Sequence, residues 1–132
     1  MDLDTVRRIF ASDRFATELT GVEITSLGDH SAECSLTLGN QHLNARGVAM
    51  GGVLFTLADF AAAVAANGAE TDDELHWVSL DATIHYLTPA AGTSLTAVCT
   101  ALKHGRTTAL YQTEVFCNGR RSAIVETTMV RI

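Results

Sequence analysis

Residues Met50–Ala66 read MGGVLFTLADFAAAVAA, seventeen residues carrying a single charge, Asp59. Ala, Leu, Phe and Met favour helix, and apolar side chains fall on every face, so the stretch predicts a buried core helix. A membrane span needs about 20 apolar residues, and this segment is shorter, with an acid at its centre. Gly51 and Gly52 open it, so the first turn presents bare backbone N–H groups and the positive end of the helix dipole. A lone carboxylate among apolar neighbours is costly to ionise and therefore more basic than usual. Asp59 could be a structural acid that caps a backbone group or pairs with an arginine. It could equally serve chemistry, because a helix N-terminus that holds an oxyanion and a basic carboxylate suit acyl-group reactions.

Working outward, Asp4 to Ala11 reads as a short amphipathic helix, with Val6, Ile9 and Phe10 opposite Arg7 and Arg8. Val22 to Leu27 and Ala32 to Leu38 read as two strands around a Gly28-Asp29 turn. Asn40 to Ala49 is a polar loop leading into the apolar helix, which should stop after Asn67-Gly68. An acidic loop follows, and then strands over Trp77–Leu87, Ser94–Leu102, Thr107–Cys117 and Ser122–Val130. Leu95, Ala97 and Cys99 alternate with Thr96, Val98 and Thr100, and Asn118-Gly119 signals a type I′ hairpin. Short turns predict antiparallel neighbours. The fold class is α+β: an antiparallel sheet curled around one long helix, as a single domain over 1–132. A sheet covers only part of such a helix, so a second copy of the chain is expected to cover the rest.

Composition narrows the function. A net charge of −6 and a pI near 5.2 argue against nucleic acid or an anionic membrane as partner. The N-terminus MDLDTVRRIF has no apolar signal region. Cys34, Cys99 and Cys117 are odd in number and widely spaced, so they read as buried thiols in a reducing cytoplasm, without a disulfide or zinc framework. His76, His85 and His104 are scattered, and no metal site or cofactor is expected.

His42-Leu43-Asn44, Gly47, Gly51-Gly52 and Phe55-x-Leu57-Ala58-Asp59 together resemble the hotdog-fold thioesterases of the phenylacetate-degradation type. Their pattern is H-x-N-x-x-G-x-x-H-G-G-x-x-F-x-L-A-D before a small-residue helix. Val78-Ser79-Leu80-Asp81, Tyr86-Leu87-Thr88-Pro89-Ala90 and Lys103-His104-Gly105-Arg106-Thr107 are similar to that family's later signatures. The resemblance implies hydrolysis of an acyl-CoA thioester with an aryl or a short- to medium-chain acyl group. Carried over, Asp59 is the nucleophile or the general base, Asn44 holds the water or the carbonyl, and the Gly51 N–H polarises that carbonyl. Ser79 assists from a strand. His42, Met50, Gly52, Thr56, Tyr86, Thr88, Pro89, Lys103, Gly105, Arg106 and Thr107 are implied substrate or CoA contacts. Thr56 either lines the pocket or bonds back to its own helix, and His42 on its own reads as a loop residue bonded to backbone.

One position departs from the pattern: Met50 stands where the family has histidine, and methionine donates no hydrogen bond. A non-catalytic acyl-CoA sensor on the same fold is the alternative. A sensor gains nothing from a buried acid, and a hydratase would need a His/Asp or His/Glu pair that the sequence does not offer. Gly51 and Asp59 lie eight residues apart, roughly 12 Å along a helix, whereas a nucleophile must come within about 3–3.5 Å of the carbon it attacks. Two antiparallel copies satisfy both, so the expected unit is a homodimer with shared sites; the resemblance points the same way, towards a dimer or a dimer of dimers.

Overall fold

The apolar stretch forms the long helix α2, Gly51–Gly68, in a computed structural model that describes all 132 residues. Met50 precedes it in extended conformation and offers no side-chain cap. Leu57, Ala58, Phe60, Ala61 and Val64 are buried against the sheet. A stripe at helical spacing, Gly52, Phe55, Thr56, Asp59 and Ala63, stays partly open. Near the other end, Asn67 is buried with its amide fully used. Its Nδ2 donates to the carbonyls of Ala63 and Trp77, and its Oδ1 accepts from the amides of His76 and Trp77. That one side chain fixes where the next strand begins.

Six antiparallel strands wrap the helix: β1 (Glu23–Gly28), β2 (Ser31–Thr37), β3 (Trp77–Tyr86), β4 (Ser94–His104), β5 (Thr108–Cys117) and β6 (Arg120–Arg131), in the order β1-β2-β4-β5-β6-β3. On β4 the Leu95, Ala97 and Cys99 face is buried as the alternation predicts. Asn118 (φ 48°) and Gly119 (φ 82°) both take positive φ, which the type I′ hairpin requires.

Two expectations are corrected. The first turn is Asp29-His30, with His30 at φ 47°, and Gly28 ends β1. And β3 does not pair with β4. Both edges of β4 are taken, by β2 and β5, so the linker after β3 leaves that strand on the far side of β6. It becomes an open edge, exposed along most of its length, with Val78 and Leu80 in solvent.

The N-terminal helix α1 (Leu3–Phe10) is capped by the Asp2 carboxylate, which accepts from the Thr5 amide at 2.8 Å. Its Phe10 packs edge-on against Phe60 of α2, ring centres 5.5 Å apart. A π-helical turn at Phe15–Thr20 follows, ended by Gly21 at φ 89°; no apolar periodicity announced it. The three cysteines are free and buried, and burial pushes the thiol of Cys34 up to about 12 and that of Cys99 up to about 11. They pack as small apolar groups.

Candidate active site

The loop before α2 is held by its own polar groups. His42, on a 3₁₀ turn at Asn40–His42, is buried with both ring nitrogens used: Nδ1 accepts from the Gly39 amide at 2.9 Å, and Nε2 meets the Thr20 carbonyl at 2.7 Å. Only the Nε2–H tautomer serves both partners. The His42 carbonyl in turn accepts from the Met50 amide at 2.8 Å, tying the loop to the helix N-terminus. Gly47 closes a turn on the Asn44 carbonyl at φ 79°, a backbone conformation that favours glycine.

Within that turn the Asn44 Oδ1 accepts from the amides of Arg46 (2.9 Å) and Val48 (3.3 Å). The side-chain amide is therefore fixed by its oxygen, and its NH₂ group is left to donate elsewhere. Asn44 lines a cleft of about 530 Å³ with Met50, Gly51, Gly52, Tyr86, Thr88 and Pro89, so seven of the residues singled out in the sequence meet in one place. Val48, Leu54, Leu87 and Ala90 add apolar wall, and Arg46 adds a cation that the sequence reading missed. Its signal was available: Arg46 is the only cationic lysine or arginine between Asn40 and Ala49. The Val53 amide turns back to the Met50 carbonyl at 2.9 Å, whereas the Gly51 and Gly52 amides precede the reach of the helix ladder. Gly51 and Gly52 thus line the cleft at the positive end of a helix dipole, where backbone donors and the dipole favour negative charge.

Asp59 lies elsewhere, on the open stripe of α2. The Ser79 hydroxyl on β3 donates to its Oδ1 at 3.4 Å. Burial raises the carboxyl above its ordinary range, the bond from Ser79 opposes this, and the negative charge of Asp13 adds to it. No arginine pairs with it, and it caps no backbone group.

The remaining sequence candidates do not reach the cleft in this chain. The Thr56 hydroxyl bonds back to the Gly52 carbonyl at 2.8 Å. The His42 ring is spent on the loop, with both nitrogens bonded to backbone groups. Lys103, Gly105, Arg106 and Thr107 sit at the opposite end of the sheet, because Tyr86 pairs with Ala123 on β6 whereas the Thr107 carbonyl accepts from the Arg131 amide. Eight strand residues separate those points, roughly 26 Å. Gly105 is explained by its turn, where a Cβ would lie 2.8 Å from the Thr108 carbonyl oxygen.

The sequence profile of the thioesterase superfamily matches residues 46–124, a span holding the helix N-terminus, Asp59, Ser79 and Tyr86. The chain belongs to that superfamily, its architecture is the hotdog fold, and it is a thioesterase. Among curated relatives it resembles the acyl-coenzyme A thioesterase PaaI of Escherichia coli (strain K12), 34% identical over 108 residues that cover 81% of this chain and 74% of the relative. The solved structure of the E. coli PaaI protein from the phenylacetic acid degradation operon superimposes with a TM-score of 0.83 at 25% identity, covering 98% of this chain and 94% of that one. A hypothetical thioesterase from Streptococcus pneumoniae TIGR4, solved with coenzyme A, superimposes with a TM-score of 0.79 at 26% identity, over 93% of this chain and 96% of the other.

Proposed function

We propose that this chain hydrolyses acyl-CoA thioesters carrying an aryl or a short- to medium-chain acyl group, with each active site shared between two copies. The observation that carries this reading is the separation of the two chemical halves. Asn44 and the Gly51 amide line the cleft, and the Asp59–Ser79 pair sits apart from it on the open stripe of the same helix. Pairing two α2 helices antiparallel brings Gly51 of one copy opposite Asp59 of the other. It also covers Phe55 and Ala63, and continues the sheet across the open β3 edge. The same pairing brings the Lys103–Thr107 turn of the second copy towards the first copy's cleft, where Lys103 and Arg106 suit the phosphates of CoA.

In the reaction the thioester carbonyl oxygen accepts from the Gly51 amide and from Asn44 Nδ2. Asp59 either attacks the carbonyl carbon or removes a proton from the water that does. With Asp59 as base, the C–S bond breaks as the sulfur takes the proton that Asp59 removed. With Asp59 as nucleophile, C–S cleavage leaves an Asp59–acyl anhydride, which one water hydrolyses, regenerating the carboxylate and giving a proton to the thiolate. The acyl group departs as free acid, and no cofactor enters the balance. Three buried, unpaired thiols fit a reducing, cytoplasmic setting.

The test is free-thiol release from a panel of acyl-CoA substrates by the wild-type protein and by Asp59→Asn. Turnover by the first and its loss in the second is the expected result, and equal turnover removes Asp59 from the mechanism. A single turnover in ¹⁸O-water separates the two roles: a general base puts the heavy oxygen into the acid at once, whereas a nucleophilic Asp59 whose anhydride is opened at its own carbonyl retains it in its carboxylate and releases unlabelled acid. An active, strictly monomeric species by sedimentation overturns the shared site.

A further inference from the structure

Met50 leaves the cleft without the donor that the family places before the two glycines, yet another polar group lies over the same helix end. Tyr86 closes β3, and its phenol ring presses onto Gly51. A Cβ built on Gly51 would lie 2.9 Å from both Cζ and Oη of Tyr86 and 3.0 Å from Cε1. Glycine at 51 is therefore what lets the phenol approach the helix end. The side chain is 54% exposed, and its hydroxyl makes no hydrogen bond within the chain, so it is free to meet a ligand in the cleft. Its backbone is held firmly. Tyr86 is paired with Ala123, the following Leu87 amide donates to the Ser122 carbonyl at 2.8 Å, and the Ala90 carbonyl accepts from the Ala49 amide at 3.1 Å.

We propose that the Tyr86 hydroxyl is a catalytic oxyanion donor that works beside the Gly51 amide. This rests on the thioesterase reading above. A Cβ lies about 2.5 Å from the nitrogen of its own residue, so Oη is at most roughly 5.4 Å from the Gly51 amide. One oxygen held about 2.7–3.1 Å from each of two donors can bridge that span. As the tetrahedral intermediate forms, the carbonyl π electrons pass to oxygen, which accepts hydrogen bonds from the Tyr86 hydroxyl and the Gly51 amide. Tyr86 keeps its proton; on collapse the electrons re-form the carbonyl, the C–S bond breaks, and the sulfur takes a proton from Asp59 or from the hydrolytic water.

Tyr86→Phe keeps the ring on Gly51 and removes only the hydroxyl. On benzoyl-CoA and butyryl-CoA it should lower kcat by about a hundredfold with little change in KM or Tm. Met50→His should restore activity to Tyr86→Phe far more than it raises that of wild type, because the two donors serve one oxygen. Unchanged kcat in Tyr86→Phe, or a loss in KM alone, makes Tyr86 a wall of the cleft and overturns the proposal. A second arm needs no turnover. The CoA thioether CoA–S–CH₂–CO–CF₃, whose trifluoromethyl ketone adds water or the Asp59 carboxylate to form a tetrahedral adduct, should bind Tyr86→Phe about ten- to a hundredfold more weakly, with free CoA binding unchanged. Equal affinity for the ketone overturns the proposal even if no tested thioester is hydrolysed. Absence of wild-type hydrolysis, by contrast, counts against the thioesterase reading.

Discussion

Ser79 and Asp59 join the open edge strand to the open stripe of the core helix, hydroxyl to carboxylate at 3.4 Å. The bond opposes the effect of burial, which lifts the carboxyl above its ordinary range. Ser79 thereby keeps Asp59 ionised to lower pH than the apolar helix would allow.

Ser79→Ala removes that opposition, so the Asp59 carboxyl moves further up. The acid limb of the kcat/KM profile should shift to higher pH, with the loss relative to wild type greatest on the acid side and smallest near the alkaline end. A profile parallel to wild type at every pH would show that Ser79 does not tune the carboxylate.

Asp59→Asn should abolish hydrolysis and raise stability at neutral pH. The folded-state value lies above the ordinary 3.8, so between the two values the native chain binds more protons than the unfolded one, and stability falls as pH rises through that window. Above it the penalty for an ionised, part-buried carboxylate is present in full, and the asparagine escapes it. Thermal melts across pH should show the variant ahead at pH 7 and level with wild type below pH 3.8; a wild-type advantage at pH 7 contradicts this.

His42→Ala should destabilise the fold, because the Gly39 amide and the Thr20 carbonyl each lose a partner at about 1–3 kcal/mol per buried group. His42→Asn places an acceptor near the Gly39 amide and should recover part of the loss. Urea denaturation measures both, and a neutral His42→Ala would mean that the loop holds without its ring.

Mixing Asp59→Asn chains with Asn44→Ala chains under subunit exchange should return activity that neither shows alone. Each mixed pair keeps one complete site, so recovery should approach about a quarter of wild type at equal proportions, by random assortment of two kinds of chain. No recovery despite demonstrated exchange would place both halves in one chain.

Much of this was legible in the residues. The helix over Gly51–Gly68 and the Asn118-Gly119 hairpin followed from local chemistry, which needs no partner in space to be read. The cleft could be assembled from Asn44, Gly51 and Tyr86 only through the resemblance, because Tyr86 lies 35 residues beyond Gly51 in the chain. The position of β3 was hidden, since it depends on which edges of β4 are already occupied. The His42 ring was hidden for a similar reason. Its partner carbonyl belongs to Thr20, at the end of a π-helical turn that has no sequence signature.

The tethers around His42 also bear on what binding must do. The Thr20 carbonyl, the Gly39 amide, the Met50 amide and the Ala49–Ala90 bond leave the polar end of the cleft little conformational freedom. Its entropy is surrendered when the chain folds, and a ligand arriving later meets donors already aimed. Ordering on binding is then confined to side chains left loose in solvent, Met50 and Arg46 among them. The amides of Met50 and Ala49 should exchange with solvent deuterium as slowly in the empty protein as in the occupied one.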